Sequence, residues 1–368
     1  MARRSEEITR TRPTLPLFRA AGVHPPQPPA TRFQGSKYKL LDWIWENVSQ
    51  LPFGTALDAF GGSGCVSHFL KGKGKAVTFN DILLSNYLCA QAVVANDDER
   101  LEREDVEFVL MRHSSFDYKD FIAQTFTDIY FTDEENVWLD VVAQNIPRLA
   151  TPNKRALAYF ALFQSAISKR PYNLFHRKNL YMRTAEVERS FGNKRTWDKS
   201  FEDHFRAFVA EANEAIFSTG SECRALNLDA GQVPGAYDLV YIDPPYINGR
   251  GTGVDYHGFY HFLDGLAAYD EWPAKVDYTS KHRRLKPVRS PWTNPRRIHE
   301  AFRSVFRRFA EGILVVSYRS DGMPSIEELG EMVREVKPKV QIYTLNGNYT
   351  YVLSTNRGST ETLIVGTS

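Results

Sequence analysis

The chain has 368 residues, of which 42% are apolar and 24% charged, and its formal net charge is +2 at pH 7. These values are usual for a soluble globular protein of one or two domains. No stretch approaches the ~18 consecutive apolar residues that span a bilayer. The first residues, MARRSEEITRTRP, contain no apolar core of a secretion signal. We therefore expect a cytoplasmic protein.

Cysteines and metal-ligand spacings give little sign of either a disulfide framework or a metal site. Cys65, Cys89 and Cys223 lie far apart and form no CxxC pair, so each is expected to be a buried thiol in a reducing compartment. No arrangement such as HExxH is present, and no metal is expected.

The first part of the chain predicts an arm followed by alternating elements. Residues 1–31 are rich in Arg and Pro without periodicity, which predicts a disordered arm. SKYKLLDWIWENV (36–48) has apolar residues at helical spacing. TALDAFGGSGCVSHFL (55–70) predicts a strand, a glycine-rich turn and a helix, and AVTFND (76–81) predicts a second strand.

Helical patterns dominate 85–220, for example KRALAYFALFQSAI at 154–167, and strand patterns return afterwards. The strands are AYDLVYID (236–243), GILVVSY (312–318) and YTYVLSTNRGSTETLIVG (349–366), the last predicted as a hairpin that turns at 356–358. We therefore predict an α/β domain over 32–95 and 221–368, interrupted by a mainly helical insertion over 96–220.

The stretch LVYIDPPYIN (239–248) places an acid directly after a buried strand. Pro244 and Pro245 end the strand, because neither can donate a ladder hydrogen bond. Asp243 is left at the carboxyl end of the strand, where open α/β sheets form their ligand crevice. An ordinary Asp-Pro turn is the alternative interpretation of this motif alone.

The turn DAFGGSG (58–64) is a second candidate ligand site. Its glycines allow close approach of the backbone to a ligand at the start of a helix. It lacks the GxGxxG spacing of a dinucleotide site and suits a ligand with an amino-acid end and a nucleoside end. Asp81, 23 residues after Asp58, ends the next strand, where an acid accepts ribose hydroxyls in nucleotide-binding folds.

Two basic, aromatic-rich segments, 168–200 and 275–297, predict contact with nucleic acid, although either could be a solvated loop. The candidate phosphate contacts in the first segment are Lys169, Arg170, Arg177 and Lys178.

The order RFQGSK (32–37), LDAFGGSG (57–64), FND (79–81) and DPPY (243–246) resembles the alpha group of DNA adenine-N6 methyltransferases. The resemblance implies a Rossmann-like sheet, mostly parallel with an antiparallel C-terminal hairpin, and a target-recognition insertion. It implies S-adenosylmethionine as cofactor, double-stranded DNA as substrate, and a role in restriction-modification or phage defence with a cognate endonuclease. Relatives often carry tryptophan where this chain has Phe33.

The resemblance also assigns residues. Those implied for the cofactor are Phe33, Gly35, Lys37, Asp58, Phe60, Gly61, Gly62, Gly64, Asp81 and Asp229. Lys37 is implied to lie near the cofactor carboxylate, Asp81 at the ribose and Asp229 at the adenine ring. The implied catalytic residues are Asp243, Pro244, Pro245 and Tyr246.

Chemistry explains the DPPY motif. An exocyclic amine is a poor nucleophile and needs acceptors for its two hydrogens while positive charge develops on nitrogen. Asp243 and the carbonyl of Pro244 would supply them, with Tyr246 stacked on a base flipped out of the duplex. Cytosine N4, adenine in RNA, and a catalytically idle DNA-binding subunit are the alternatives. The loop 247–262 is expected to be a lid, with Tyr256 or Tyr260 assisting, or a plain connection.

Overall fold

The computed structural model describes residues 25–185, 194–249, 251–345 and 359–368. Within these ranges the strands are β1 (Thr55–Asp58), β2 (Ala76–Asn80), β3 (Arg224–Leu226), β4 (Leu239–Ile242), β5 (Ile247–Asn248), β6 (Ile313–Arg319), β7 (Gly322–Met323), β8 (Lys339–Thr344) and β9 (Glu361–Thr367). None of the helices in these ranges is long and apolar enough to cross a membrane.

The helices alternate with the strands at both ends of the chain and dominate its middle. They are α1 (Leu41–Val48), α2 (Cys65–Gly72), α3 (Leu84–Val93), α4 (Arg103–Leu110), α5 (Phe121–Thr125), α6 (Asp133–Asn145), α7 (Pro152–Ser168), α8 (Tyr181–Thr184), α9 (Lys194–Asp198), α10 (Phe201–Glu214), α11 (Tyr256–Ala267), α12 (Trp272–Lys275), α13 (Ile298–Arg308) and α14 (Ile326–Arg334). Short 3₁₀ turns occupy Tyr38–Leu40, Ile146–Arg148, Pro171–Asn173, Ala230–Gln232, Tyr269–Glu271 and Pro291–Thr293.

Seven strands form one sheet in the order β3-β2-β1-β4-β6-β9-β8, while β5 and β7 form a separate pair. Strands β1, β2, β3, β4 and β6 are parallel neighbours, whereas β9 runs antiparallel to β6 and β8. The chain moves outward from β1 to β3 and then returns to β4 on the other side of β1. The carboxyl ends of β1 and β4 therefore flank the point where strand order reverses, and such a point forms a ligand crevice.

Side chains of each strand alternate between two hydrophobic clusters, one on each face of the sheet. Leu239 and Tyr241 belong to the cluster with α1, α2, α3, α7, α10 and α11, and Val240 and Ile242 to the cluster with α13 and α14. Helix α7 is buried on all sides because its sequence is apolar around the whole circumference. It packs between α3 and α10 on one face of the sheet.

The predicted helical insertion does not have a core of its own in the described part of the chain. Phe160 and Phe163 of α7 join the same cluster as Ala56 of β1 and Phe79 of β2. The division into a catalytic part and a recognition insertion over 96–220 stays a prediction.

One boundary prediction changes at the start of the chain, and one near its end lies outside the described residues. Of the predicted arm, 1–24 lie outside the described residues, but Pro28 and Pro29 are buried and the Ala30 amide donates to Glu211 at 2.7 Å. Packing thus begins before residue 31. The predicted turn at 356–358 also lies outside the described residues. The antiparallel partner of β9 that the structure shows is β8, together with β6.

Candidate active site

A single cavity collects the predicted motifs at the switch point of the sheet. Its lining includes parts of the FQGSK segment, the glycine turn, the end of β2 and the DPPY segment. Of the predicted residues, those that line it are Phe33, Gly35, Lys37, Asp58, Phe60, Gly61, Gly62, Asp81, Asp229, Asp243 and Pro245. Gly64, Pro244 and Tyr246 are not part of the lining. The register that pairs Asp58 with Tyr241 explains the convergence, because it aligns the ends of β1 and β4.

The glycine turn needs its glycines for two different reasons. A Cβ on Gly61 would lie 2.0 Å from the ring of Phe79, so no side chain fits there. Gly64 has φ of +74° where it caps α2, a conformation that favours glycine. The turn therefore lies close against β2 and leaves its backbone facing the cavity.

Asp58 is buried at the floor of the cavity. One carboxylate oxygen, Oδ2, accepts from the hydroxyl of Ser67 at 2.7 Å. The other, Oδ1, is buried and has no partner among the described residues. Burial raises the pKa of Asp58 to about 7, and the nearby charges of Asp243 and Asp81 act in the same direction, against the Ser67 hydrogen bond. The unpartnered Oδ1 is an acceptor for a ligand donor, and a cationic donor would favour the ionised carboxylate.

Asp81 stabilises the turn as well as lining the cavity. Its Oδ2 accepts from the Gly62 amide at 2.9 Å and its Oδ1 from the Leu83 amide at 2.8 Å. Burial raises the pKa of Asp81 to about 6, against the lowering effect of these bonds. Ile82 follows, lines the cavity and is 65% exposed. An acceptor and an apolar surface therefore lie side by side.

Lys37 lies against the DPPY motif and also lines the cavity, and its predicted contact with a cofactor carboxylate stays a prediction. Its Nζ is 2.9 Å from both oxygens of Asp243 and 2.5 Å from the hydroxyl of Tyr246. That hydroxyl in turn lies 2.8 Å from Asp243 Oδ1 and 3.0 Å from Glu361 Oε1. Charge pairing of a buried lysine with two carboxylates explains the orientation, since an unpaired ammonium there would be costly.

The pKa of Asp243 is raised to about 6. Burial is the largest cause and the charge of Glu361 adds to it, whereas the ammonium of Lys37 lowers the pKa. The carboxylate is therefore charged above about pH 6 and can then accept hydrogen bonds.

Phe33, Phe60 and Asp229 also line the cavity. The ring of Phe33 packs edge-on against Tyr260 at 5.1 Å, and the ring of Phe60 packs edge-on against Trp292 at 4.6 Å. A carboxylate oxygen of Asp229 accepts from the Gly231 amide at 2.9 Å. Within the described ranges no group of three His, Cys, Asp or Glu side chains could hold a metal, and Cys65, Cys89 and Cys223 are free and buried.

Two contributions to the site are missing from the sequence prediction. Glu361 is fully buried at the start of β9, and nothing in ETLIVG marks its first residue as part of a site. Trp292 and its neighbours come from the basic segment 275–297, which was predicted to contact nucleic acid and also lines the cavity. The 3₁₀ turn Pro291–Thr293 carries them there.

Two of the four predicted phosphate contacts are corrected by the structure. Lys169 and Arg170 are only 2% and 1% exposed. Lys169 Nζ donates to the carbonyls of Trp197 and Lys199 and pairs with Glu135 at 2.8 Å. Arg170 donates to the carbonyls of Leu174, Tyr130 and Arg177 and to the side chain of Asn179. Both side chains therefore donate to groups inside the protein rather than to a phosphate backbone.

Arg177 and Lys178, in contrast, are exposed. Lys178 forms a surface ion pair with Asp128 at 2.7 Å, and such exposed pairs are weak. These two side chains remain available for a phosphate backbone.

The predicted lid 247–262 is only partly a loop. Strand β5 occupies Ile247–Asn248 and pairs with β7, and helix α11 begins at Tyr256. Tyr256 and Tyr260 both line the cavity from this helix, and the Tyr260 hydroxyl accepts from the Gln34 amide at 2.8 Å. A closing role for the segment stays a prediction.

The seven-stranded sheet, mostly parallel with an antiparallel edge, and the site at its switch point define a Rossmann-like methyltransferase. The chain belongs to the D12 class of N6 adenine-specific DNA methyltransferases, whose family model matches residues 33–308. This match supports adenine N6 as the target and gives no support to the cytosine alternative or to an idle subunit.

Individual relatives are also modification enzymes. The chain is 30% identical to the type II methyltransferase M2.HphI of Haemophilus parahaemolyticus, over 86% of this chain and 91% of that protein. It is 22% identical to the type II methyltransferase M.CviAII of Paramecium bursaria Chlorella virus 1, over 81% of this chain and 85% of that protein. For the modification methylase LlaI of Lactococcus lactis subsp. lactis the identity is 23%, over 82% of this chain but only 48% of that protein. The chain is thus a site-specific adenine DNA methyltransferase.

Proposed function

We propose that this cavity binds S-adenosylmethionine and that the enzyme, a site-specific DNA-methyltransferase (adenine-specific), methylates N6 of an adenine flipped out of double-stranded DNA. The observation that carries the proposal is the pairing of a buried, unpartnered acceptor, Asp58 Oδ1, with the DPPY carboxylate Asp243 in one cavity. The first suits the cofactor and the second suits the substrate amine.

Electrostatics supports a cationic cofactor. Asp58, Asp81, Asp229 and Asp243 line the cavity together, and mutual repulsion contributes to the raised pKa of Asp58. A ligand with a positive charge relieves this repulsion, because opposite charges favour the ionised carboxylates. S-adenosylmethionine meets this requirement, since it carries an ammonium and a sulfonium and supplies the methyl group when bound.

Different residues of the cavity would contact different parts of the cofactor. Asp58 Oδ1 would accept from the ammonium, and the backbone of the turn from Phe60 to Gly64 would face the methionine part. Asp81 would accept from the ribose hydroxyls, with Ile82 against one face of the adenine ring. Phe33, Gly35 and Asp229 would complete the walls of the cavity. Lys37 lines the same cavity and pairs with Asp243, and its contact with the cofactor carboxylate stays part of the proposal.

Methyl transfer depends on Asp243 and its neighbours. The carboxylate accepts one hydrogen of the substrate amine and stabilises the positive charge that develops on nitrogen. The carbonyl of Pro244 would accept the other, and Pro245, which lines the cavity, fixes the chain direction. Tyr246 anchors the motif through its hydroxyl, and stacking of its ring on the flipped base stays part of the proposal.

The DNA duplex would lie across Arg177 and Lys178, with the helical insertion providing sequence recognition. Like its type II relatives, the enzyme would act in restriction-modification or phage defence, with a cognate endonuclease as partner and cellular DNA in the cytoplasm as substrate. The duplex would be positioned by phosphate contacts, while base contacts specify the sequence.

The test is nucleoside analysis of DNA incubated with the purified enzyme and S-adenosylmethionine. We expect N6-methyladenine, at one sequence motif identified by sequencing with modification detection. Asp243→Ala is expected to lose methylation while retaining cofactor affinity in calorimetry. Formation of N4-methylcytosine, absence of cofactor binding, or more than a tenth of wild-type turnover in the variant would each contradict the proposal.

A further inference from the structure

Glu361 lies 115 residues beyond the DPPY motif yet touches its tyrosine. The side chain is fully buried, and its Oε1 accepts from the Ser317 hydroxyl at 2.5 Å and from the Tyr246 hydroxyl at 3.0 Å. The ammonium of Lys37 is 3.5 Å from the same oxygen. A buried carboxylate with these partners is held in one orientation, facing the catalytic motif.

Three charges therefore share one buried site. Lys37 contributes one positive charge, and Asp243 and Glu361 contribute one negative charge each, so the cluster keeps one net negative charge. Without Glu361 the ammonium of Lys37 would balance Asp243 completely. A neutral pair would be a poorer partner for the positive charge that develops on the substrate nitrogen, because charges interact strongly in a water-poor site.

The hydroxyl of Tyr246 has a single proton, which it can give to Asp243 or to Glu361 but not to both. Lys37 Nζ lies close to this hydroxyl and to both carboxylates. Glu361 thus competes with Asp243 for the same two donors. The stronger this competition, the more acceptor capacity Asp243 retains for the amine.

We propose that Glu361 is a positioning residue for methyl transfer, which draws Lys37 and Tyr246 toward itself so that Asp243 stays an effective hydrogen-bond acceptor. The inference rests on the proposed role of Asp243 and extends it to the start of β9. Ser317, on β6, orients the Glu361 carboxylate and is itself fully buried.

The charge of Glu361 also acts on the protonation of Asp243, whose pKa it raises. The other groups that influence or face Asp243 come from β1, β4, the DPPY segment, β6 and the segment before α1; they are Asp58, Tyr241, Tyr246, Tyr318 and Lys37. Removing the charge of Glu361 while these stay in place lowers the pKa of Asp243.

The decisive variant is Glu361→Gln, which keeps the shape and removes the charge. We expect kcat to fall at least tenfold, with KM for DNA and cofactor Kd within twofold of wild type. The acidic limb of the kcat–pH profile should move to lower pH, since that limb reports the essential base in the enzyme–substrate complex. A merely structural residue would not move this limb.

Asp140→Asn is the matched control, because Asp140 is a buried carboxylate in α6 that accepts from the amides of Ile122 and Ala123. It should lower stability without moving the acidic limb. Unchanged kcat in Glu361→Gln, or a loss of kcat with the limb unmoved, would overturn the inference.

Two further variants keep the test decisive. If Glu361→Gln fails to fold, Ser317→Ala can be used instead, because it removes the donor that orients the Glu361 carboxylate. It should lower kcat severalfold and leave the acidic limb of the kcat–pH profile in place. A wild-type kcat in Ser317→Ala would overturn the inference. Asp243→Ala separates the two proposals. Activity in Asp243→Ala would refute the role of Asp243 itself, whereas an inactive Asp243→Ala beside a fully active Glu361→Gln would refute only the role of Glu361.

Discussion

The ammonium of Lys37 lies 2.9 Å from each carboxylate oxygen of Asp243, although 206 residues separate them in the chain. The contact joins the FQGSK segment to the DPPY motif across the switch point of the sheet. It gives the lysine a direct electrostatic effect on the carboxylate that we propose to be catalytic. Because the ammonium lowers the pKa of Asp243, the pair has a measurable consequence.

Lys37→Met should narrow the pH range of activity. Without the ammonium, the pKa of Asp243 rises above about 6, so protonation removes the acceptor at higher pH than in the wild type. The acidic limb of the kcat–pH profile should move to higher pH, whereas it should move to lower pH in Glu361→Gln. Lys39→Met, two residues away and exposed, is the control and should leave the limb in place. If the acidic limb does not move in Lys37→Met, the charge of Lys37 does not control the protonation of Asp243.

Local patterns predict the strands and the motifs at their ends. A strand end is indicated by the apolar run before Asp243, by the glycine turn and by the acid at the end of β2. Parallel strands bring such ends together at one edge of the sheet. The same logic could not find Glu361, because its burial depends on β9 lying between β6 and β8. That pairing is a property of strand order and leaves no local signal.

Charge patterning failed at Lys169 and Arg170 for a related reason. A run of cations is normally solvated, but these two follow directly from α7, which is apolar on all sides. A helix buried on every side ends inside the protein, where carbonyls and acids of neighbouring segments need donors; Lys169 donates there to the carbonyls of Trp197 and Lys199. The run ALAYFALF (156–163), apolar around its whole circumference, indicates that the cations after this helix are structural.

Asp81→Asn should weaken binding of S-adenosylmethionine. Loss of charge-assisted hydrogen bonds to the ribose is expected to cost about 1.5–3 kcal/mol, or roughly 10- to 150-fold in Kd. Calorimetric titration measures the change, and Asp42→Asn on the exposed side of α1 is the control. Since Asp81 also accepts from Gly62 and Leu83, the melting temperature of the variant should be compared as well. An unchanged Kd would exclude the ribose role.

Asp58→Asn should change how stability depends on pH in the cofactor-free protein. The pKa of Asp58 is about 7 in the folded state against an ordinary 3.8, so the folded state binds the proton more tightly. Its contribution to stability is therefore complete below about pH 4 and is lost as pH rises through 7. At 1.36 kcal/mol per pKa unit, the loss is on the order of a few kcal/mol.

Urea unfolding of the wild type and of Asp58→Asn between pH 5 and 8 measures this pH dependence of the free energy of unfolding. The stability of the variant relative to the wild type should rise with pH. Asp238→Asn is the control, because hydrogen bonds from the amides of Thr55 and Gly54 hold the pKa of Asp238 below its ordinary value. Its stability relative to the wild type should stay constant over this range. A constant difference for Asp58→Asn would show that the carboxylate titrates normally.

Arg177→Ala combined with Lys178→Ala should weaken DNA binding for all sequences alike. The two cations are exposed, and each phosphate contact releases counterions, so log Kd should depend less steeply on log salt, by about 1–2 in slope. Cofactor affinity should not change, because the cavity lining does not include these residues.

A salt titration of DNA affinity by fluorescence anisotropy measures that slope. Arg303→Ala combined with Arg307→Ala is the matched control, since α13 covers the opposite face of the sheet from α7 and both arginines pair with Glu335 there. This pair should leave the slope as in the wild type. If the slope of the Arg177 and Lys178 variant is also unchanged, these cations face solvent. The exposed Lys286 and Arg289 beside the cavity would then be the better candidates for the DNA surface.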